Sequence, residues 1–306
     1  MIRQYYNILM SKEKKSYFFG FLTVLIWGSF IAISKINLKE LDSFQVLFYT
    51  SFIALVTTFI VASFQRKLSL VKKLSRADMI RLSLYSLPAF LYYLLYYLAL
   101  RLIPTIEAAI LNYLWPLAVV IFALILFKEK ITKSKILAII VGLIGSFVVV
   151  TKGNIFQFGF TNYLGDLLAV VAAFSWGLFS NLGKRNALDQ TISYLIYFLT
   201  IFLLSIPSLL IFSKFTLPSF ANIWGLLWIG TLNLALAYQL WFKALKLGDI
   251  AKVSNFMYLT PFVALVWIAL LLGENITFVQ LLGLSLIMIG PFIQNVKLKT
   301  SGSCWL

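Results

Sequence analysis

The sequence predicts an all-α membrane protein of ten transmembrane helices, arranged as two inverted five-helix repeats with both termini cytoplasmic. Three observations predict it: ten long charge-free stretches, a one-sided distribution of basic residues, and a run of matches at one fixed offset. The 306 residues are 61% hydrophobic and 12% charged. That is about half the roughly 25% charge of a soluble domain, which excludes an ordinary cytosolic protein. Cutting the chain at every Lys, Arg, Asp and Glu leaves stretches at 16–34, 43–65, 82–100, 108–127, 136–151, 167–183, 190–213, 215–242, 253–273 and 275–296. Each approaches or exceeds the ~17–25 apolar residues that a helix needs to cross a bilayer. Barrel strands do not fit, because runs such as LLYYLAL and AIIVGLIG do not alternate.

The net charge of +16 would suit nucleic acid if it were clustered on one surface, but the basic residues lie between the spans. With the N-terminus inside, 21 of the 26 Lys and Arg fall on inward segments, and only Lys35, Lys39, Arg101, Lys152 and Lys214 fall outward. This asymmetry is the positive-inside pattern. The connection carrying Arg66, Lys67, Lys72, Lys73, Arg76 and Arg81 is the main anchor, suited to anionic lipid rather than nucleic acid. Cys304 is the only cysteine and histidine is absent, so no disulfide framework or Cys-based metal site is expected, and no cofactor is implied. The first apolar stretch is too long for a signal peptide and lacks a small-x-small cleavage pattern, so span 1 is expected to be retained.

The repeat shows at an offset of 145. Ala99, Leu100, Leu102, Tyr113, Leu114, Pro116, Glu129, Ile131, Thr132, Gly145 and Phe147 match Ala244, Leu245, Leu247, Tyr258, Leu259, Pro261, Glu274, Ile276, Thr277, Gly290 and Phe292. Trp27-Gly28 of span 1 matches Trp176-Gly177 of span 6 at an offset of 149. The chain therefore divides into an N-terminal tail (1–15), a first repeat (16–151), an external linker (152–161), a second repeat (162–297) and a C-terminal tail (298–306). A five-span unit that begins inside ends outside, so its second copy enters from the opposite face. Inverted repeats of this kind characterise secondary transporters, whose site lies near the midplane between the halves.

Taken in chain order, the spans carry few but specific polar and aromatic groups. Span 3 places Tyr85, Tyr92 and Tyr96 on one helix face, with Tyr93 and Tyr97 beside them. Mid-span tyrosines need a hydroxyl partner away from water, whereas aromatics in general serve as interface anchors. Span 4 carries Glu107, Asn112, Tyr113, Trp115 and Pro116. Glu107 either binds substrate or a proton, or complements the helix dipole; Asn112, like Asn255 in span 9, either faces a cavity or knits helices together. Pro116 and its counterpart Pro261 read either as tolerated kinks or as a paired, hinge-like break exposing the carbonyls of Asn112 and Met257. Gly142 and Ser146 of span 5, and Gly283 and Gly290 of span 10, suit close helix packing or a homodimer seam. Asp166 opens span 6, and span 8 repeats part of the span-3 pattern at Tyr238, Trp241 and Phe242. Tyr92, Tyr96, Tyr113 and Trp115 are candidates for an aromatic wall, which suits a flat apolar substrate or a cation over a ring face.

Two five-span units, each opening near Trp-Gly and closing on a proline-bearing span, a loop of the form Glu129-Lys130-Ile131-Thr132 or Glu274-Asn275-Ile276-Thr277, and a Gly-rich last span resemble the EamA-domain branch of the drug/metabolite transporter superfamily. The resemblance runs from about Tyr17 to Lys297. It implies a central cavity lined by the first four spans of each half. Within that branch, Glu107 with Asn112-Tyr113-Leu114-Trp115-Pro116, and Tyr258-Leu259-Thr260-Pro261, are similar to segments of bacterial aromatic amino acid exporters. That similarity implies that Tyr113 and Trp115, Trp176 by its place beside Gly177, and more loosely Tyr92 and Tyr96 face the cavity. The expected substrate-binding set is Tyr92, Tyr96, Glu107, Asn112, Tyr113, Trp115, Trp176, Tyr238, Trp241 and Tyr258.

The expected function is a non-enzymatic secondary carrier in the cytoplasmic (inner) membrane that exports small metabolites, amino acids and aromatic ones among them first. Efflux of cationic or toxic compounds by the same fold is the alternative. A membrane-embedded transferase or a non-transporting scaffold is more remote, because the spans hold no His or Cys, no clustered carboxylate pair and no glycine-rich phosphate cradle.

Overall fold

The computed structural model describes residues 11–126, 162–247 and 259–295, with scattered positions between 134 and 148. Most of span 5, the linker and the first half of span 9 lie outside the described residues. The described residues form helices and connections with no strand. Among the described residues, seven helices are long and apolar enough to cross a membrane: 12–37, 43–64, 76–102, 105–126, 163–185, 190–212 and 220–241; a shorter apolar helix spans 260–272.

Helix starts coincide with capping residues at the edges of the charge-free stretches. Helix α1 (Lys12–Asn37) begins after Ser11, whose side chain accepts from the Lys14 N–H. Helix α2 (Ser43–Phe64) has a capping box between Asp42 and Gln45, and α3 (Arg76–Leu102) has one between Ser75 and Asp78. Such caps satisfy amide groups that the first turn cannot, each contributing about 1 kcal/mol. Helix α6 (Tyr163–Arg185) is capped by Asn162 and α7 (Gln190–Phe212) by Asp189.

Two crossings are interrupted. Span 4 is α4 (Thr105–Asn112), a turn at Tyr113 and Leu114, then α5 (Trp115–Leu126). Span 8 is α8 (Phe220–Leu227), a π-helical segment (Trp228–Leu236) and α9 (Ala237–Leu247). Helix α10 (Thr260–Leu272) carries Pro261 as its second residue, as α5 carries Pro116. It ends at Gly273, whose φ of 67° lies in the left-handed region that favours glycine. Helix α11 (Phe278–Asn295) follows. A proline early in a helix sacrifices no internal hydrogen bond, so the two prolines start helices rather than bend them.

Successive helices alternate direction, and their ends group accordingly. At the end where α1 begins, here the proximal end, Lys67 pairs with Asp189 at 2.7 Å, Thr191 bonds Gln65 at 3.0 Å and Ser16 donates to the Ala244 carbonyl at 2.7 Å. At the distal end, Lys35 donates to the Leu100 carbonyl, Gln45 to the Lys214 carbonyl at 2.7 Å, and the Ile106 N–H to Glu274 at 3.2 Å. Helix α1 thus runs proximal to distal, while α6, its counterpart, runs distal to proximal. Each of them packs against the other repeat: α1 against α9 and α10, and α6 against α3 and α5. The outer faces are apolar, with Phe59, Leu210, Phe212 and Leu270 exposed, as lipid contact requires.

Candidate functional site

A cavity of about 510 Å³ lies between the two repeats, within the 300–1,000 Å³ typical of small-molecule sites. Its walls come from α1 (Trp27, Phe30), α3 (Tyr92, Tyr93), the interruption of span 4 (Asn112, Tyr113, Trp115), α6 (Trp176, Phe179), α7 (Tyr194, Tyr197) and the second repeat's Asn233, Tyr238, Trp241 and Thr260. It reaches the exposed residues Lys184 and Gln190 at the proximal end. Distal to it, Ile103, Ile106 and Ala108 are nearly inaccessible, and none of them lines it. Among the described residues the cavity is therefore open at the proximal end and closed at the distal one.

The walls obey the repeat. Trp27 meets Tyr238 edge-on, with centroids 5.2 Å apart and planes at 69°. Its counterpart Trp176 meets Tyr93, the counterpart of Tyr238, at 6.3 Å and 71°. Tyr93 and Tyr238, equivalent residues of the two repeats, both line the cavity at the repeat interface. The glycine after each tryptophan lets these contacts form. A Cβ on Gly28 would lie 2.6 Å from Val263 Cγ1, and one on Gly177 would lie 2.5 Å from Ala118 Cβ. Val263 is 145 residues after Ala118, so each Trp-Gly seats against the same place on the other repeat's post-proline helix.

The π-helical segment widens span 8 where it meets α1, a feature that recurs at functional sites. Asn233 Nδ2 donates to the Ile26 carbonyl at 2.5 Å, the Asn233 carbonyl accepts from Trp27 Nε1 at 3.1 Å, and Trp228 Nε1 donates to Ser29 at 2.9 Å. These bonds fix the Trp27 ring. Trp176 is fixed by rings instead, 4.8 Å from Tyr92 and 5.3 Å from Phe179.

Polar capacity is present but sparse. Asn112 Oδ1, Asn233 Oδ1, Thr260 Oγ1 and the Tyr197 hydroxyl are buried and have no hydrogen-bond partner among the described residues. Buried polar atoms left unpaired are costly, so these are ready to accept or donate to a solute. Lys184 is the one charged residue among the described lining residues. No group of three or more metal-ligating side chains occurs among the described residues.

Of the sequence-predicted site residues, Tyr92, Asn112, Tyr113, Trp115, Trp176, Tyr238 and Trp241 are brought together on the cavity wall. Tyr96 is not on it: it stacks behind Tyr92 at 5.8 Å and against Phe30 at 6.3 Å. Glu107 is also off the wall, 3% exposed at the distal end. Tyr258 and the Met257 carbonyl lie outside the described residues. Pro116 and Pro261 occupy equivalent positions, second in α5 and second in α10. Sequence reasoning missed Trp27, Phe30, Tyr93, Phe179, Tyr194, Tyr197 and Asn233. Trp27 and Tyr93 carried a signal, because they are the repeat counterparts of Trp176 and Tyr238.

Comparison with known proteins agrees with this architecture. A protein of Archaeoglobus fulgidus named as an uncharacterized transporter is 30% identical over 285 residues, covering 90% of this chain and 96% of its own. The aromatic amino acid exporter YddG of Ancylobacter novellus is 28% identical over 172 residues, 56% of this chain and 60% of its own. A solved crystal structure superposes with a TM-score of 0.68 at 22% identity, covering 92% of this chain and 96% of that one, which is a likeness of fold. The EamA-like transporter family matches twice, over residues 14–151 and 163–296. Matched over both halves, with its repeats meeting at a shared cavity, this multi-pass membrane protein belongs to the EamA-like transporter family.

Proposed function

We propose that the chain is a ten-span secondary carrier of the cytoplasmic membrane, with both termini cytoplasmic, that exports small amphipathic metabolites by alternating access. Amino acids, aromatic ones among them, are the first substrate class. The observation that carries this reading is the aromatic cavity between pseudo-symmetric repeats, open at one end and sealed at the other. Rocking of one repeat against the other would exchange those ends. The basic connections at the proximal end support a cytoplasmic position for that end by the positive-inside rule, which reads the structure as an inward-open state. Two units, residues 16–151 and 162–297, form the moving halves.

The wall favours a solute with a flat apolar part and a few hydrogen-bonding groups. Rings of Trp27, Tyr92, Trp115 and Trp176 offer faces and edges, while Asn112, Asn233 and Thr260 offer polar atoms. The described lining holds no carboxylate to neutralise a bound cation, which supports a zwitterionic or anionic solute over a cationic drug. Counterflow in proteoliposomes tests the reading: vesicles preloaded with tryptophan, phenylalanine, threonine or methionine should accelerate uptake of the labelled counterpart. Acceleration by cationic dyes alone would move the assignment to drug efflux, and acceleration by neither would remove the carrier reading.

A further inference from the structure

The loop Glu274-Asn275-Ile276-Thr277, between α10 and α11, lies at the distal end, outside the cavity. Gly273 ends α10 in the left-handed region, which turns the chain out of the helix. Ile276 packs against the buried core. Thr277 starts α11: its N–H donates to Gln280 Oε1 at 2.9 Å, and its hydroxyl accepts from the Gln280 N–H at 3.3 Å, a reciprocal cap. Glu274 turns to the other repeat instead. Its carboxylate accepts the Ile106 N–H of α4 at 3.2 Å, and among the described residues it enters no ion pair.

Helix α4 has a use for that acceptor. The first turn of a helix carries amide groups with no partner inside the helix. Pro104, which precedes α4, supplies no side-chain hydrogen bond to that turn, and all eight residues of α4 are buried. An amide left unpaired in such a place is costly, whereas a carboxylate at the positive end of a helix is favourable both as acceptor and as charge. Donor and acceptor belong to different repeats, so the bond crosses the interface where the cavity is closed. At its other end α4 reaches Asn112, next to Tyr113, and both line the cavity. Its eight residues span about 12 Å at 1.5 Å per residue, and they connect the closure directly to the wall.

We propose that Glu274 is the latch of the distal end: it ties the two repeats together there by capping α4 across their interface, and that end opens only when the cap is released. This rests on the carrier reading above, which supplies the motion. In the closed state the Glu274 carboxylate satisfies the buried Ile106 N–H. On opening, the α10–α11 loop withdraws with its own repeat, water takes the place of Glu274 at the amide, and the carboxylate passes into solvent. Water compensates both groups, so a single bond of this kind can form and break in every cycle. A solute that displaces Asn112 or Tyr113 acts on the latch through α4, which makes the state of the wall felt at the closure.

The test reads accessibility and needs no solute. Thr105 and Ala108 are fully buried, Ile103 is 3% exposed, and Cys304 is the only cysteine of the chain. In the full chain carrying Cys304→Ser, Ala108→Cys and Ile103→Cys serve as two separate reporters of opening, and Thr105→Cys reports fraying of the α4 start alone. A membrane-impermeant maleimide, applied from the distal side of sealed vesicles, should label the opening reporters about tenfold faster once Glu274→Ala is added, as loss of a hydrogen bond to a charged group implies. Glu274→Gln keeps an oxygen acceptor in the loop and should fall between Glu274→Ala and the parent. Unchanged labelling of both opening reporters, or acceleration confined to Thr105→Cys, would overturn the latch. So would Glu274→Gln labelled as fast as Glu274→Ala. Counterflow of labelled tryptophan is measured on the parent in parallel: exchange absent with every solute removes the carrier reading, while the labelling rates still decide the latch.

Discussion

Gly28 and Gly177 occupy equivalent positions, yet the atoms they face are not equivalent in stiffness. A Cβ at Gly177 meets the Ala118 carbonyl carbon at 2.8 Å and the Val119 nitrogen at 2.9 Å, whereas one at Gly28 meets chiefly the Val263 side chain. A valine rotamer yields more readily than a backbone. Gly177→Ala is therefore expected to destabilise the protein by about 1–3 kcal/mol, and Gly28→Ala by less, measured as the difference in thermal unfolding in one detergent. Equal losses would show that the two contacts are equally rigid. At this scale the site was partly legible in sequence. Tyr113, Trp115 and Trp176 were named from their motifs and lie on the wall. Tyr96 was named from its helix face, but Tyr92 stands between it and the cavity, and a helical wheel cannot show which of two stacked rings is in front. Tyr194 and Tyr197 carried no motif that set them apart from the other aromatics of span 7, Phe198, Phe202 and Phe212.

Among elements, the interruptions deserve the most weight. The turn at Tyr113 and Leu114 separates α4 from α5, and Pro116 as second residue of α5 prevents the two from fusing, because a proline cannot donate to a carbonyl four residues back. Pro116→Ala is expected to leave the protein at least as stable and to slow exchange severalfold; unchanged exchange kinetics in proteoliposomes would show that the break is not a hinge. The proline pair was visible in sequence as repeat positions. The π-helical segment of span 8 was not, because nothing in Trp228–Leu236 departs from an ordinary apolar helix; its widened turn answers to tertiary bonds with Ile26 and Ser29. The start of α7 offers a test with defined sign. Burial works to raise the Asp189 carboxyl, but the Lys67 ammonium and the N–H groups of Ile192 and Thr191 outweigh it and hold the carboxyl below its ordinary range. A lowered carboxyl contributes stability above its unfolded value, and that contribution is lost as pH falls through the folded one. Asp189→Asn keeps a capping side chain, so its penalty at neutral pH should be at most about 1 kcal/mol for this part-exposed pair. It should begin to shrink as pH falls below about 4 and vanish only below the lowered folded value, as read from unfolding temperatures against pH.

For the whole molecule, the alternation of helices, the packing of α1 and α6 against the opposite repeat, and the matched Trp-Gly contacts make one pseudo-symmetric body with one end closed. The class of fold was legible because hydrophobic length and basic-residue asymmetry act over the whole chain. Which end is closed was not, since both conformations of an inverted-repeat carrier use the same sequence. The central claim is that this body moves an amphipathic metabolite through the cavity between its repeats, and counterflow of labelled tryptophan by wild type and Trp176→Ala in matched proteoliposomes tests it most directly. The account predicts accelerated exchange in the wild type and a several-fold weaker apparent affinity in a folded Trp176→Ala, from loss of ring contacts worth about 0.5–1.5 kcal/mol. Wild-type vesicles that exchange none of tryptophan, phenylalanine, threonine or methionine, or a folded Trp176→Ala that exchanges them as the wild type does, would contradict it.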